Sequence, residues 1–93
     1  MIKIKIFYTA QLKKAVGVRE EILELEAAEQ VKGILLTLNE KHKEAFRNIV
    51  FDAEGKFLHA VLLSCNGKQL DYESGLLLSD SDELTIMSPI AGG

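Results

Sequence analysis

The chain has 93 residues, 47% hydrophobic and 27% charged, a balance that fits one globular domain, residues 1–93, rather than a disordered chain. Its formal net charge of -3 argues against nucleic-acid binding, because phosphate recognition needs a broad basic surface. No apolar stretch approaches the roughly 20 residues of a bilayer span, and the single Cys65 cannot form an internal disulfide, so no membrane partner and a reducing cytoplasm are expected.

The opening residues Ile2, Ile4, Ile6 and Tyr8 alternate with Lys3, Lys5 and Phe7, which predicts a first strand rather than an export signal. Thr9 to Gly17 breaks the alternation and reads as a loop ending at glycine. The basic pair Lys13-Lys14 within it reads as solvated surface. Arg19 to Leu25 alternates again, so two strands and their loop predict a hairpin. The period then changes. Val31, Ile34, Leu35 and Leu38 form one apolar stripe of a helix running from Ala28 to His42. A short helical turn over Ala45 to Phe51 follows, then a turn at Asp52-Ala53-Glu54-Gly55. Phe57 to Cys65 predicts a strand with Val61, Leu63 and Cys65 on one face. Asn66-Gly67 is a strong two-residue hairpin signal, because a type I′ turn needs two positive φ angles. Asp80 to Glu83 is a polar turn, and Leu84 to Met87 the closing strand. A mixed sheet packed on one main helix gives the apolar stripe and the apolar sheet face a common interior.

The chain then reads Ser88-Pro89-Ile90-Ala91-Gly92-Gly93, a stretch expected to form a flexible carrier tail, residues 88–93. Pro89 fixes φ and removes a backbone donor, so the strand ladder should stop there. Fully extended, these residues reach roughly 20 Å. Gly92 and Gly93 lack Cβ atoms and can pass through a channel too narrow for side chains. A terminal carboxylate is a poor electrophile until a partner enzyme converts it to an acyl-adenylate. The carrier itself then needs no catalytic residue, and none converge in the sequence.

The opening strand continued by Phe7-Tyr8-Thr9-Ala10-Gln11-Leu12, the Asn66-Gly67 turn, Asp80-Ser81-Asp82-Glu83-Leu84 and above all the Pro-Ile-Ala-Gly-Gly ending resemble the MoaD/ThiS sulfur carriers over essentially the whole chain. The resemblance implies an α+β, ubiquitin-like β-grasp fold with the first and last strands adjacent at the sheet centre. It implies adenylation of Gly93 by a ubiquitin-activating-type adenylyltransferase, with ATP bound by that partner, and conversion to a thiocarboxylate. Ile90, Ala91 and Gly92, led by Pro89, would thread into the partner. In MoaD-like members the sulfur enters the dithiolene of molybdopterin inside the large subunit of molybdopterin synthase; in ThiS-like members it enters the thiazole of thiamine. The long segment from Lys43 to Phe57 and the Pro-Ile-Ala-Gly-Gly ending favour the MoaD-like branch. Where the family turn usually carries glycine, this chain has Ser81, which leaves a positive φ there in question.

The outer sheet face docks partners in this family, and Phe7 and Leu62 are the expected contacts. Cys65, in an apolar strand, reads as core packing. His42 and His59 lack a companion ligand at metal spacing, so no metal is expected, and Asp80, Asp82 and Glu83 read as turn chemistry. Without a Gly-rich phosphate loop no bound cofactor is expected either. Other readings are a carrier for thiamine or tRNA thiolation, a ubiquitin-like protein modifier, and a non-covalent β-grasp binding module.

Overall fold

The computed structural model describes residues 1–89. In chain order these form β1 (Ile2–Tyr8), α1 (Ala10–Val16), β2 (Glu20–Leu25), β3 (Glu29–Gln30), α2 (Val31–His42), α3 (Glu44–Val50), β4 (Leu62–Cys65), β5 (Lys68–Leu70), β6 (Leu77–Leu78) and β7 (Glu83–Met87). Five strands make one sheet in the order β2-β1-β7-β4-β5, and β3 pairs with β6 in a separate two-stranded ribbon. The first and last strands run parallel at the sheet centre, with Phe7 beside Thr85 and Tyr8 beside Ile86. The other pairings in this sheet are antiparallel. This is the α+β, β-grasp arrangement.

The period-two pattern decides the sheet faces. Ile4, Ile6, Tyr8, Leu63, Cys65, Leu84 and Ile86 point inward and are buried, meeting Val31, Ile34, Leu35 and Leu38 of α2 in one core. An aromatic series runs along that core: Tyr8, Phe46, Phe51 and Phe57 follow one another at centroid spacings of 6.4–6.5 Å. Phe57 then stacks on Tyr72 at 4.5 Å. The Asn66-Gly67 turn has φ angles of 52° and 86°, the two positive values a type I′ hairpin needs.

Three expectations change, and the open question at Ser81 closes. The stretch Thr9 to Gly17 contains α1, because Leu12 is fully buried and Gly17 closes the helix in the left-handed region at φ 87°. The main helix begins at Val31 instead of Ala28, because Glu29 and Gln30 are extended and paired with Leu78 and Leu77. The strand expected from Phe57 begins only at Leu62: Phe57 turns into the aromatic series, and a turn closes where Val61 N donates to Leu58 O at 3.1 Å. Ser81 does adopt positive φ, 74°, without being glycine.

Candidate functional site: the root of the tail and the outer sheet face

Strand β7 leads to Ser88 and Pro89, the last of the described residues, and Ser88 is tied to the body of the domain. Ser88 is buried at 8% exposure, although the sequence placed it at the start of the tail. Its Oγ accepts from the Leu12 amide at 3.0 Å and donates to the Thr9 carbonyl at 2.6 Å. Thr9, at the N-cap of α1, makes no side-chain capping bond of its own. The Leu12 amide, in the first turn of α1, is therefore shared between the local Thr9 carbonyl at 3.1 Å and the hydroxyl of Ser88, 76 residues away. Pro89 follows and is exposed. Ile90, Ala91, Gly92 and Gly93, the residues expected to thread and react, lie outside the described residues.

The outer sheet face beside this exit is set by strand register. Phe7 projects outward with Lys3 and Lys5, half-buried, and the Lys5 ammonium sits 5.7 Å from its ring centroid. Across β7, Leu62 lies opposite Met87 and is 46% exposed. Phe7 and Leu62 thus share one face, with Thr85 and Met87 of β7 between their strands. Sequence reading missed Met87, although its alternation with Leu84 and Ile86 carried the signal.

The turn before β7 is held by its own side chains. Asp82 accepts from the Ser79 amide at 2.8 Å and from Asn66 Nδ2 at 2.9 Å, which holds its carboxyl below the usual carboxylate range. Asn66 Oδ1 accepts from the Glu83 amide at 2.9 Å, Asp80 Oδ1 from the Lys3 amide at 2.7 Å, and the Lys3 carbonyl from the Ser81 amide at 2.9 Å. These bonds hold Ser81 in the left-handed region and tie the hairpin turn to the start of β1. Burial, and then the Asp82 charge, push the Cys65 thiol up, away from a reactive thiolate.

A second polar cluster lay unread in the sequence. Glu21 shares the inward parity of Leu23 and Leu25, and its carboxylate accepts from Lys41 and from the Tyr8 hydroxyl. It also meets His42 Nε2 at 2.6 Å. Burial alone would raise the Glu21 carboxyl, but the bonds from Lys41, Tyr8 and His42 outweigh it and hold the group low. Burial, then the bond to Glu21, push the Tyr8 phenol far up. Among the described residues, no group of three or more His, Cys, Asp or Glu side chains is placed to hold a metal ion, and no helix is long and apolar enough to cross a membrane.

With this geometry in view, the chain matches the ThiS family over residues 6–93. It belongs to that family. Among solved structures, SAMP1 from Haloferax volcanii superposes with a TM-score of 0.85 at 23% identity, covering 98% of this chain and 99% of that one. The small archaeal modifier protein 1 from Methanosarcina acetivorans gives 0.75 at 29% identity over 100% and 98% of the two chains. A protein described as a molybdopterin converting factor, subunit 1, from Pyrococcus furiosus gives 0.75 at 26% identity over 97% and 100%. No curated protein matches the chain. The fold of this ThiS-family chain is thus that of ubiquitin-like sulfur carriers and modifiers.

Proposed function

We propose that this ThiS-family chain is a sulfur carrier that acts through Gly93 and supplies molybdopterin synthesis. In the proposed cycle, the Gly93 carboxylate attacks the α-phosphorus of ATP held by a ubiquitin-activating-type adenylyltransferase, and pyrophosphate leaves. A hydrosulfide-equivalent donor then attacks the acyl carbon. A C–S bond forms, the C–O bond to phosphate breaks, AMP leaves, and a thiocarboxylate remains. The large subunit of a molybdopterin synthase would take the loaded tail, with Pro89, Ile90, Ala91 and Gly92 threading its channel. On this reading the chain is a cytoplasmic carrier and not an enzyme on its own, and ATP stays with the partner.

The observation that carries the reading is the joining of a family match that runs to Gly93 with a tail root pinned by Ser88 beside an outer face bearing Phe7, Leu62 and Met87. A partner holding that face receives the tail from a fixed origin. Transfer to thiamine or tRNA thiolation would use the same tail chemistry. A second reading, conjugation to a target lysine, draws on the small archaeal modifier protein 1 from Methanosarcina acetivorans among the structural neighbours.

Intact-mass analysis of the protein from its native host separates these readings. A carrier shows one oxygen replaced by sulfur after incubation with the adenylyltransferase, ATP and a hydrosulfide donor, whereas a modifier shows an added target protein joined through an isopeptide when host proteins are present. A carboxylate left unchanged with enzyme, ATP, sulfide donor and host proteins all supplied would sink both. On the carrier reading, deleting Gly93 abolishes loading and leaves the unfolding free energy within about 0.5 kcal/mol of the parent chain.

A further inference from the structure

We infer that Lys13, Lys14 and Arg19, grouped around the Phe7 hollow, form a docking surface for an acidic patch on the protein that activates the tail; the inference rests on the carrier reading above.

The surface beside the outer face is built from the two ends of α1. A shallow hollow is lined by Phe7, Thr9, Ala10, Lys13, Arg19 and Thr85. A second hollow shares Ala10, Lys13 and Arg19 and adds Lys14 and Val18, so the two are continuous. Val18 is 44% exposed, and Lys5 lies over the Phe7 ring. Phe7 and Val18 give the surface an apolar content, and the lysines and arginine give it a charged rim, the usual anatomy of a protein–protein contact.

Its charge is not neutralised from within. Glu20 is the one carboxylate that pairs with this group among the described residues, and it is shared by Lys5 at 3.6 Å and Arg19 at 3.7 Å. Lys13 and Lys14 enter no ion pair among the described residues. Lys5, Lys13, Lys14 and Arg19 with Glu20 therefore carry +3, against -3 for the whole chain, so the remaining residues carry -6. This group is thus net basic within a chain that is net acidic. Such a charge distribution orients the chain in the field of an acidic partner, presenting this group first.

The position of the patch matters as much as its sign. Lys13 and Lys14 stand on α1, whose Leu12 amide is bonded to Ser88 at the tail root. A partner that grips α1 through these cations therefore holds the element to which the start of the tail is tied. An acidic surface at a set distance from the adenylating centre would recognise the patch and aim the tail in the same contact. This tie to the tail, and the net charge of -3 over the whole chain, favour a protein over RNA as the occupant.

The test is association of the full chain with its host's adenylyltransferase by stopped flow at increasing salt. The parent rate is expected to fall as salt rises. The double variant Lys13→Glu/Lys14→Glu is expected to associate about tenfold or more slowly at low salt, as steered encounters do when their charges are reversed. The difference should collapse near about 1 M salt, where the screening length is only about 3 Å. Lys56→Glu/Lys68→Glu makes the same charge change away from the hollow, since Lys68 lies on the edge strand β5 three strands from β1, and is expected to cost far less. Lys13→Gln/Lys14→Gln should give an intermediate slowing with an unchanged melting temperature, which separates docking from damage to α1. Equal slowing by both reversals, a salt-independent rate, or retention of single-stranded RNA by the same residues in preference to the enzyme would overturn the inference. A parent chain that is loaded normally while Lys13→Glu/Lys14→Glu binds just as fast sinks the docking surface alone. A parent chain that neither binds nor becomes adenylated sinks the carrier reading with it.

Discussion

At the scale of single residues, one buried and one part-buried polar group do more than the apolar pattern suggests. Ser88 joins the end of β7 to the first turn of α1, and no periodicity announces that a serine next to the only proline will be buried. Ser88→Ala removes both bonds, each worth about 0.5–1.5 kcal/mol net. The Leu12 amide keeps only its 3.1 Å contact to Thr9 O. A loss of about 1–2 kcal/mol in urea unfolding is expected, with faster hydrogen exchange at the Leu12 amide. An unaltered exchange rate would show that Ser88 does not hold α1. Glu21 makes a pH argument. Its folded carboxyl titrates below the ordinary range, so its stabilisation is present above the unfolded value and is lost as pH falls through the folded one. Glu21→Gln should lower stability at neutral pH by about 1.5–3 kcal/mol, the range for hydrogen bonds to a charged group. It should also flatten the acid limb of a stability-versus-pH curve. An acid limb as steep as the parent's would place the pH sensitivity elsewhere, for instance at Asp82.

At the scale of elements, the long amphipathic patterns were legible and the short ones were not. The helix stripe Val31, Ile34, Leu35 and Leu38 is fully buried, as its spacing requires. Leu35→Ala should therefore cost about 2–5 kcal/mol, measured as a fall in denaturant midpoint at constant slope. A midpoint that does not move would mean the stripe does not face the core. β1, β2, β7 and the Asn66-Gly67 hairpin also follow from alternation and turn chemistry. By contrast, α1 offers only Leu12 and Val16 on its inner side, with a first-turn amide bonded from the far end of the chain. The pair β3 and β6 has two residues in each strand, too few for any period to register, and depends on contacts across the molecule. Positive φ at Ser81 is likewise imposed by bonds to Lys3 and the Asp82 turn, not by its own preference. The candidate site divides the same way. Phe7 and Leu62 on one face could be read from strand parity, whereas the Ser88 tie and the inward Glu21 cluster needed the third dimension.

At the scale of the whole molecule, the parallel pairing of β1 with β7 brings Phe7 beside the strand that leads into Pro89. A partner contacting Phe7 therefore stands next to the tail's origin, and a change at Phe7 should affect docking before it affects folding. Phe7 is only half-buried and points away from the core that holds Ile4, Ile6 and Tyr8. Truncating an interface aromatic at a true hot spot costs 2 kcal/mol or more. Since each 1.4 kcal/mol is tenfold, Phe7→Ala should weaken binding to the adenylyltransferase or synthase subunit about thirtyfold in titration calorimetry. Unlike the charge reversals, this loss should persist at high salt, because it removes apolar contact instead of long-range attraction. Its effect on the melting temperature should stay well below that of Leu35→Ala. If affinity holds and the melting temperature collapses, the ring is serving the fold, and docking must rest on Leu62 and Met87 further across the face.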